Sequence, residues 1–306
     1  MAYLTGCQRE TLGNHAGQIF LDTLKKGIRN FDTQTAWEAI NRTASMRVAH
    51  AGRDFLEDWE VLGYCASESN SWSASCTLAY AFDDWAAAEM AREMKEPAEL
   101  IQMYSKRSLN YRNVWDNHTK FFCPRSKDGS FKCPLDPAFL LDGGEKTGGY
   151  VEGDAEQWRW FVPHDVQGLA ELFGGRKAMA MALDTFMTNA AKYPGTALPN
   201  PFYWAGNEPD ILAPWMGSLI GRPDLTAKHT RWLVLLLTSV MLRCSHPNLP
   251  VRLSINLTMH GPAALLTMRF HRVLDTYYTA QPQGLPGNDD FGQSPILPRA
   301  LSAFPS

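Results

Sequence analysis

The chain of 306 residues contains no run of lysines and arginines, no CxxC pair and no long hydrophobic segment. Each absence excludes something. Proteins that bind nucleic acid usually carry clustered basic surface, and this chain, with a formal net charge of -3, shows none. Without CxxC pairs there is no cysteine spacing that reads as a zinc site, and the six cysteines do not define a disulfide framework in a chain this long. The longest apolar run, from Leu233 to Leu242, falls well short of the ~20 residues that a helix needs to cross a bilayer, so no membrane span is expected. Met1 to Glu10 lacks the apolar core of a signal peptide. Other signals point the opposite way: sequons at Asn41 and Asn117 fit a secretory route, as does a Cys123 and Cys133 pair flanking the polar turn Ser126 to Ser130, which would close a small disulfide-bonded hairpin.

Aromatic residues are abundant, with ten Trp, ten Tyr and fifteen Phe, and the hydrophobic share of 45% is ample for a large core. Strand-like alternation is scarce, and helical spacing dominates. Ile19, Phe20, Leu24 and Ile28 mark a helix after Gly13; the stretch 42–60 is charged and reads as a loop. The strongest helix runs from about Ser71 to Met94, with Ala74, Leu78, Phe82, Trp85 and Ala88 on one face. Pro97 suits the first turn of another, carried through to Trp115. Loops and a hairpin fill 117–149. Asp165 is an N-cap candidate and Gly174-Gly175 a stop, with further helices over 176–187 and from Leu225 to Trp232. The stretch 193–214 is rich in Pro, Gly and Asn and reads as loop. The expected fold class is mostly α, built from paired helices rather than an α/β sheet.

Three acidic motifs sit on expected loops: Val151-Glu152-Gly153, Gly206-Asn207-Glu208-Pro209-Asp210 and Gly287-Asn288-Asp289-Asp290. The first opens Tyr150–Asp165, which packs three further acids (Asp154, Glu156 and Asp165) with Arg159, His164, Trp158, Trp160 and Phe161 into one short run. Rings stack on the CH faces of sugars while charged groups take hydroxyl hydrogen bonds, and glycosidases need two carboxyl groups in opposite protonation states. A tight helix entrance with satisfied polar groups would use the same residue types.

The run from Tyr150 to Leu169, with Gly206–Asp210 and Gly284–Gln293, resembles glycoside hydrolase family 92, the calcium-dependent exo-α-mannosidases. Gly13-Asn-His-Ala, Lys26–Asp32, Ser75–Trp85 and Arg107–Asn113 extend the resemblance, which covers most of 13–232 and 273–293. It implies an (α/α)6 barrel, or toroid, that inverts the anomeric centre of terminal α-mannosides in N-glycans or mannans. Glu152 takes the position of the general acid and Asp290 that of the general base, with Asp289 its neighbour and Asn288 where some members carry an assisting acid. Trp158, Arg159, His164, Asn207, Glu208 and Asn288 are the implied substrate contacts, with a structural helix-entry role the alternative for His164; His15, Asp83 and Asp84 read as packing or rim residues. Asn207 and Glu208 lie in the motif nearest the Ca2+ role, since this cation takes oxygen ligands. The surrounding Trp158, Trp160 and Phe161 are expected to desolvate Glu152 and raise its pKa, and inversion implies carboxyl groups roughly 6.5–9.5 Å apart. The implied partner is a mannose-containing glycan and the implied compartment secretory.

The chain also departs from the family pattern. It starts inside the catalytic domain, so 1–293 is expected to form a partial barrel. About forty aperiodic residues, 234–272, intervene where relatives run on directly and resemble a non-native insertion; 294–306 form an irregular tail. A non-catalytic carbohydrate-binding remnant is the alternative to an enzyme.

Overall fold

A computed structural model describes residues 12–13, 15–45, 53–138, 148–193, 200–204 and 209–231. Within them the chain is predominantly helical. Helices α1 (Ala16–Lys25) and α2 (Thr33–Ser45) pack on the long α4 (Ser73–Met94), as does α5 (Ala98–Arg107); the short α3 (Leu56–Val61) precedes α4. A 3-10 turn, Asn110–Val114, leads into a two-stranded antiparallel ribbon, β1 (Trp115–Asp116) and β2 (Phe121–Phe122), in which Trp115 faces Phe122. Then follow α6 (Ala155–Trp158), α7 (Val166–Phe173), α8 (Arg176–Lys192) and α9 (Ala213–Leu219), and residues 223–231 are again helical.

Helix α4 is the axis of this arrangement. It has almost no polar face: Ala74, Leu78, Ala79 and Ala81 are buried in one cluster, Ala86, Ala87, Met90 and Ala91 in another. A helix buried on all sides must be surrounded by others, and α1, α2, α3 and α5 supply that surround. Its small alanines let neighbouring backbones approach closely, while Tyr104, Tyr111, Trp59 and Trp160 fill the wider spaces.

Several expectations need correction. The stretch 42–60 is not a plain loop, because α2 continues to Ser45 and α3 occupies Leu56–Val61. Helix α1 buries Gly17, Leu21 and Leu24; Ile19 and Ile28 are each 49% exposed, since the packed face is set by contact with α4 rather than by the bulkiest side chains. Pro97 is the N-cap of α5, and the helix ends at Arg107 instead of reaching Trp115. Helix α9 begins at Ala213, within the last two residues of the stretch read as loop, and continues to Leu219, where the sequence had marked no element. Asp165 does cap α7, accepting from Gly168 N at 2.9 Å, and Gly174 closes it with φ 97°. Cys123 and Cys133 do form a disulfide.

Candidate active site

The site grows from how the turn around Glu152 is tied down. Gly149 approaches Pro124 so closely that a Cβ would lie 2.0 Å from its Cγ, and its φ of 107° is left-handed, so glycine is required there twice over. The Gly149 carbonyl accepts from Ala74 N and Ser75 N, two of the donors that the first turn of α4 cannot use internally. Val151 N donates to Ser75 Oγ at 3.2 Å, Tyr150 Oη to the Phe122 carbonyl at 2.5 Å, and Trp158 Nε1 to the Val151 carbonyl at 2.8 Å. Asp154 then caps α6 in a reciprocal capping box with Gln157.

Glu152, held between these anchors, has φ 50°, a left-handed conformation that costs a residue with a Cβ about 1–2 kcal/mol. Its side chain is exposed. Non-glycine strain that persists because its surroundings over-determine it is a mark of functional positions. The two tryptophans expected to desolvate Glu152 are engaged elsewhere. Trp160 turns away to stack on Phe173 in the core, and Trp158 is buried with its indole N-H committed to Val151.

Burial falls instead on carboxyl groups that the sequence does not distinguish from surface acids. Asp154 is buried, with Oδ2 lacking a partner, and desolvation pushes its pKa up to about 8, aided by the charges of Glu156 and Asp136. Glu156 is raised by burial as well, although Arg159 opposes the shift. Asp210 is wholly buried; burial lifts it well above the carboxylate range, and the negative charge of Asp154 adds to this. Asp210 accepts from Trp204 N at 3.0 Å, and Gln157 Nε2 donates to the carbonyls of Asn200 and Phe202. The residues flanking the second acidic motif are therefore fastened to the helix that follows Glu152.

Arg159 is buried, paired with Glu156 at 2.7 Å and placed over Phe121, whose ring centroid is 4.4 Å from its Cζ. The structure thus sets it in packing, inside the wall of the site. His164 stacks on Phe82 and bonds the Ser108 carbonyl through Nε2, while desolvation lowers its pKa to about 4, so the ring is neutral. This is the structural helix-entry role. His15 joins the same aromatic group, 6.1 Å from the Phe161 ring, and pairs with Asp83 at 2.9 Å. Asn207, Glu208, Asn288, Asp289 and Asp290 lie outside the described residues, as do 234–272 and 294–306, so the separation of Glu152 and Asp290 lies outside them too. Among the described residues the one group with metal-ligand proximity is Asp116, Cys123 and Cys133, whose sulfurs are bonded to each other. No helix among them is long and apolar enough to cross a membrane.

Ser75 and Gln157 are parts of the site that sequence reasoning did not single out, and Asp154 and Asp210 were named only within their motifs, without a role. The Asp154-x-x-Gln157 spacing of a capping box was a usable signal for Asp154 and Gln157.

Comparison with known proteins agrees with this architecture. Residues 3–236 match the glycosyl hydrolase family 92 catalytic domain. An uncharacterized secreted glycosidase of Arthroderma benhamiae is 27% identical over 248 residues, covering 71% of this chain and 30% of that protein. The family GH92 alpha-mannosidase of Bacteroides thetaiotaomicron is 27% identical with a TM-score of 0.63, over 75% of this chain and 28% of its own. In its complex with mannoimidazole the match is 24% identical, covers 93% and 32%, and reaches a TM-score of 0.65, which bears on the fold. A family GH92 inverting mannosidase of the same species is 25% identical, over 92% and 34%, at a TM-score of 0.55. The chain spans about a third of the length of the relatives it matches. Its paired helices are part of the (α/α)6 toroid of these enzymes. With most of its length matched to the catalytic domain and its helices superposing on solved members, the chain belongs to glycosyl hydrolase family 92.

Proposed function

We propose that this chain carries the proton-donating half of an inverting α-mannosidase site, with Glu152 as general acid. The observation that supports this reading is the exposed carboxyl of Glu152 on a left-handed residue, fixed by bonds to α4, β2 and α6 on either side. A general acid must meet the glycosidic oxygen in one orientation, and a pre-formed turn supplies that orientation before substrate arrives. Protonation of the leaving oxygen by Glu152 would accompany attack by a water that Asp290 deprotonates on the opposite face of the ring. Asp289 and Asn288 neighbour that base, and Trp158 backs the turn from beneath.

Calcium fits the donor chemistry of the second motif. The side chains of Asn207 and Glu208 would ligate through oxygen, and Asp210, two residues further along the sequence, has a buried Oδ1 without a partner. Asn207 and Glu208 would hold the cation, which would supply a hard positive charge for sugar hydroxyl oxygens. The substrate class is a mannose-terminated glycan, and a secretory location accords with the secreted relative and with the Cys123–Cys133 disulfide.

The test is release of mannose from an α-mannoside by the 306-residue chain. With an alkyl α-mannoside, turnover that stops on chelation and falls steeply in Glu152→Gln is the expected result, with β-mannose as the first product. Because the chain spans only a third of its relatives, a carbohydrate-binding remnant is the second reading. Binding of the mannoside without turnover, equal in both forms, would establish that reading instead.

A further inference from the structure

Beside the acid turn lies a second pair of cysteines. Cys65, in the turn after α3, and Cys76, in the first turn of α4, are both fully buried, and their Sγ atoms are 3.0 Å apart. Their surroundings fix this approach: Cys65 N donates to Thr77 Oγ1 at 3.0 Å, Thr77 Oγ1 donates to the Ser73 carbonyl at 2.8 Å, and Ala66 N reaches Asp58 Oδ2. The two sulfurs are closer than non-bonded contact favours and need close only about 1 Å to reach the ~2.04 Å of a disulfide. The same chain already carries the disulfide Cys123–Cys133.

We propose that Cys65 and Cys76 form a second disulfide when the chain folds in an oxidising compartment, stapling the 62–66 turn to the start of α4. That helix start is what holds Gly149 and Val151, so the bond would brace the platform beneath Glu152. The chemistry is thiol–disulfide exchange with a small disulfide oxidant such as oxidised glutathione. Its S–S bond breaks, one S–S bond forms between Cys65 and Cys76, and the two protons and two electrons leave as two glutathione thiols. Burial raises the Cys65 thiol pKa and seals it from solvent, so exchange belongs to folding, before α4 closes over the pair.

The experiment is refolding of the full chain with a glutathione redox pair until the Cys123–Cys133 linkage is complete, then alkylation in denaturant. Mass spectrometry after chymotrypsin, which cleaves at Trp72 between the two cysteines, reads the linkage. A cross-linked pair of peptides holding Cys65 and Cys76, two hydrogens lighter than the two thiol peptides together, is expected. Reducing agent should separate it, and Cys65→Ala/Cys76→Ala should lack it. Alkylated Cys65 and Cys76 in a sample whose Cys123–Cys133 bond is complete, or linkage of either to Cys7 or Cys244, would overturn the proposal.

Discussion

Two regions bury carboxylates beside α4 in opposite ways. At Asp83 and Asp84 each charge is answered. Asp84 accepts from Arg53 at 2.6 Å, Arg107 at 2.8 Å and Trp59 Nε1 at 3.0 Å, and Asp83 meets His15 and Gln18. Burial alone would raise Asp83, yet His15 and Arg53 outweigh it and hold the carboxyl below its usual range. Among the described residues neither Asp154 nor Asp210 has an ion pair, the charge of Arg159 reaches Asp154 only without a bond, and desolvation lifts both. A buried acid with cationic partners is a fixed strut between helices. One without them keeps its proton, and two such acids lie in the segments that carry the first and second acidic motifs.

The sharpest way to break this contrast is Asp84→Ala. It would remove the shared buried counter-ion of Arg53 and Arg107, leaving Arg53 only the more distant Asp83, and breaking a buried pair costs about 3–5 kcal/mol. Urea denaturation should show that loss. Asp154→Asn, which keeps the capping oxygen and replaces a group already protonated at neutral pH, should lose no more than about 1 kcal/mol. Comparable losses in the two variants would erase the distinction.

The pH dependence should be the next largest effect, with opposite signs in the two regions. The folded pKa of Asp154, about 8, lies above its unfolded value of ~3.9, so the folded chain holds more protons between them and stability falls as pH rises from 4 to 8. That contribution, on the order of a few kcal/mol, is fully present below the unfolded value. Asp83 is depressed, so its contribution is present above the unfolded pKa and lost as pH falls through the folded one. Urea midpoints at pH 5 and pH 8 should differ less in Asp154→Asn than in the parent. An unchanged difference would place the proton elsewhere.

Two smaller effects concern the turn itself. Trp158→Phe removes the donor to the Val151 carbonyl and should cost about 1 kcal/mol, read by thermal melting. Glu152→Gly should gain about 1 kcal/mol by relieving the left-handed backbone, while greatly slowing turnover of an alkyl α-mannoside. A destabilised Glu152→Gly would mean that the side chain supports the fold.

Much of the helical framework was legible in the sequence, and the reasons for the rest are particular. Helix α4 announced itself through length, and α7 through Asp165 and Gly174. Helix α2 had its signal too: Asp32 accepts from Thr35 N, as an N-terminal cap would, and Trp37, Ile40 and Ala44 recur at helical spacing. The short α3 and α9 lack enough turns to show a period, and packing rather than propensity fixes them. In the site, Glu152 was marked by its motif. The burial of Asp154 and Asp210 was not, because an aspartate's partners, or the want of them, are set by distant segments such as 200–204. The close approach of Gly13, where a Cβ would sit 2.4 Å from Asp83 Oδ2, belongs to the same long-range class.

The central claim is that Glu152 donates the proton to the leaving oxygen, and its dependence on the leaving group tests it most directly. Turnover by Glu152→Gln relative to the parent chain should be measured on an alkyl α-mannoside and on an aryl α-mannoside whose phenolate departs unaided. A loss of about 10²–10⁴-fold on the alkyl substrate, with little loss on the activated aryl one, is the expected result. Equal losses on both, or none on either, would contradict it.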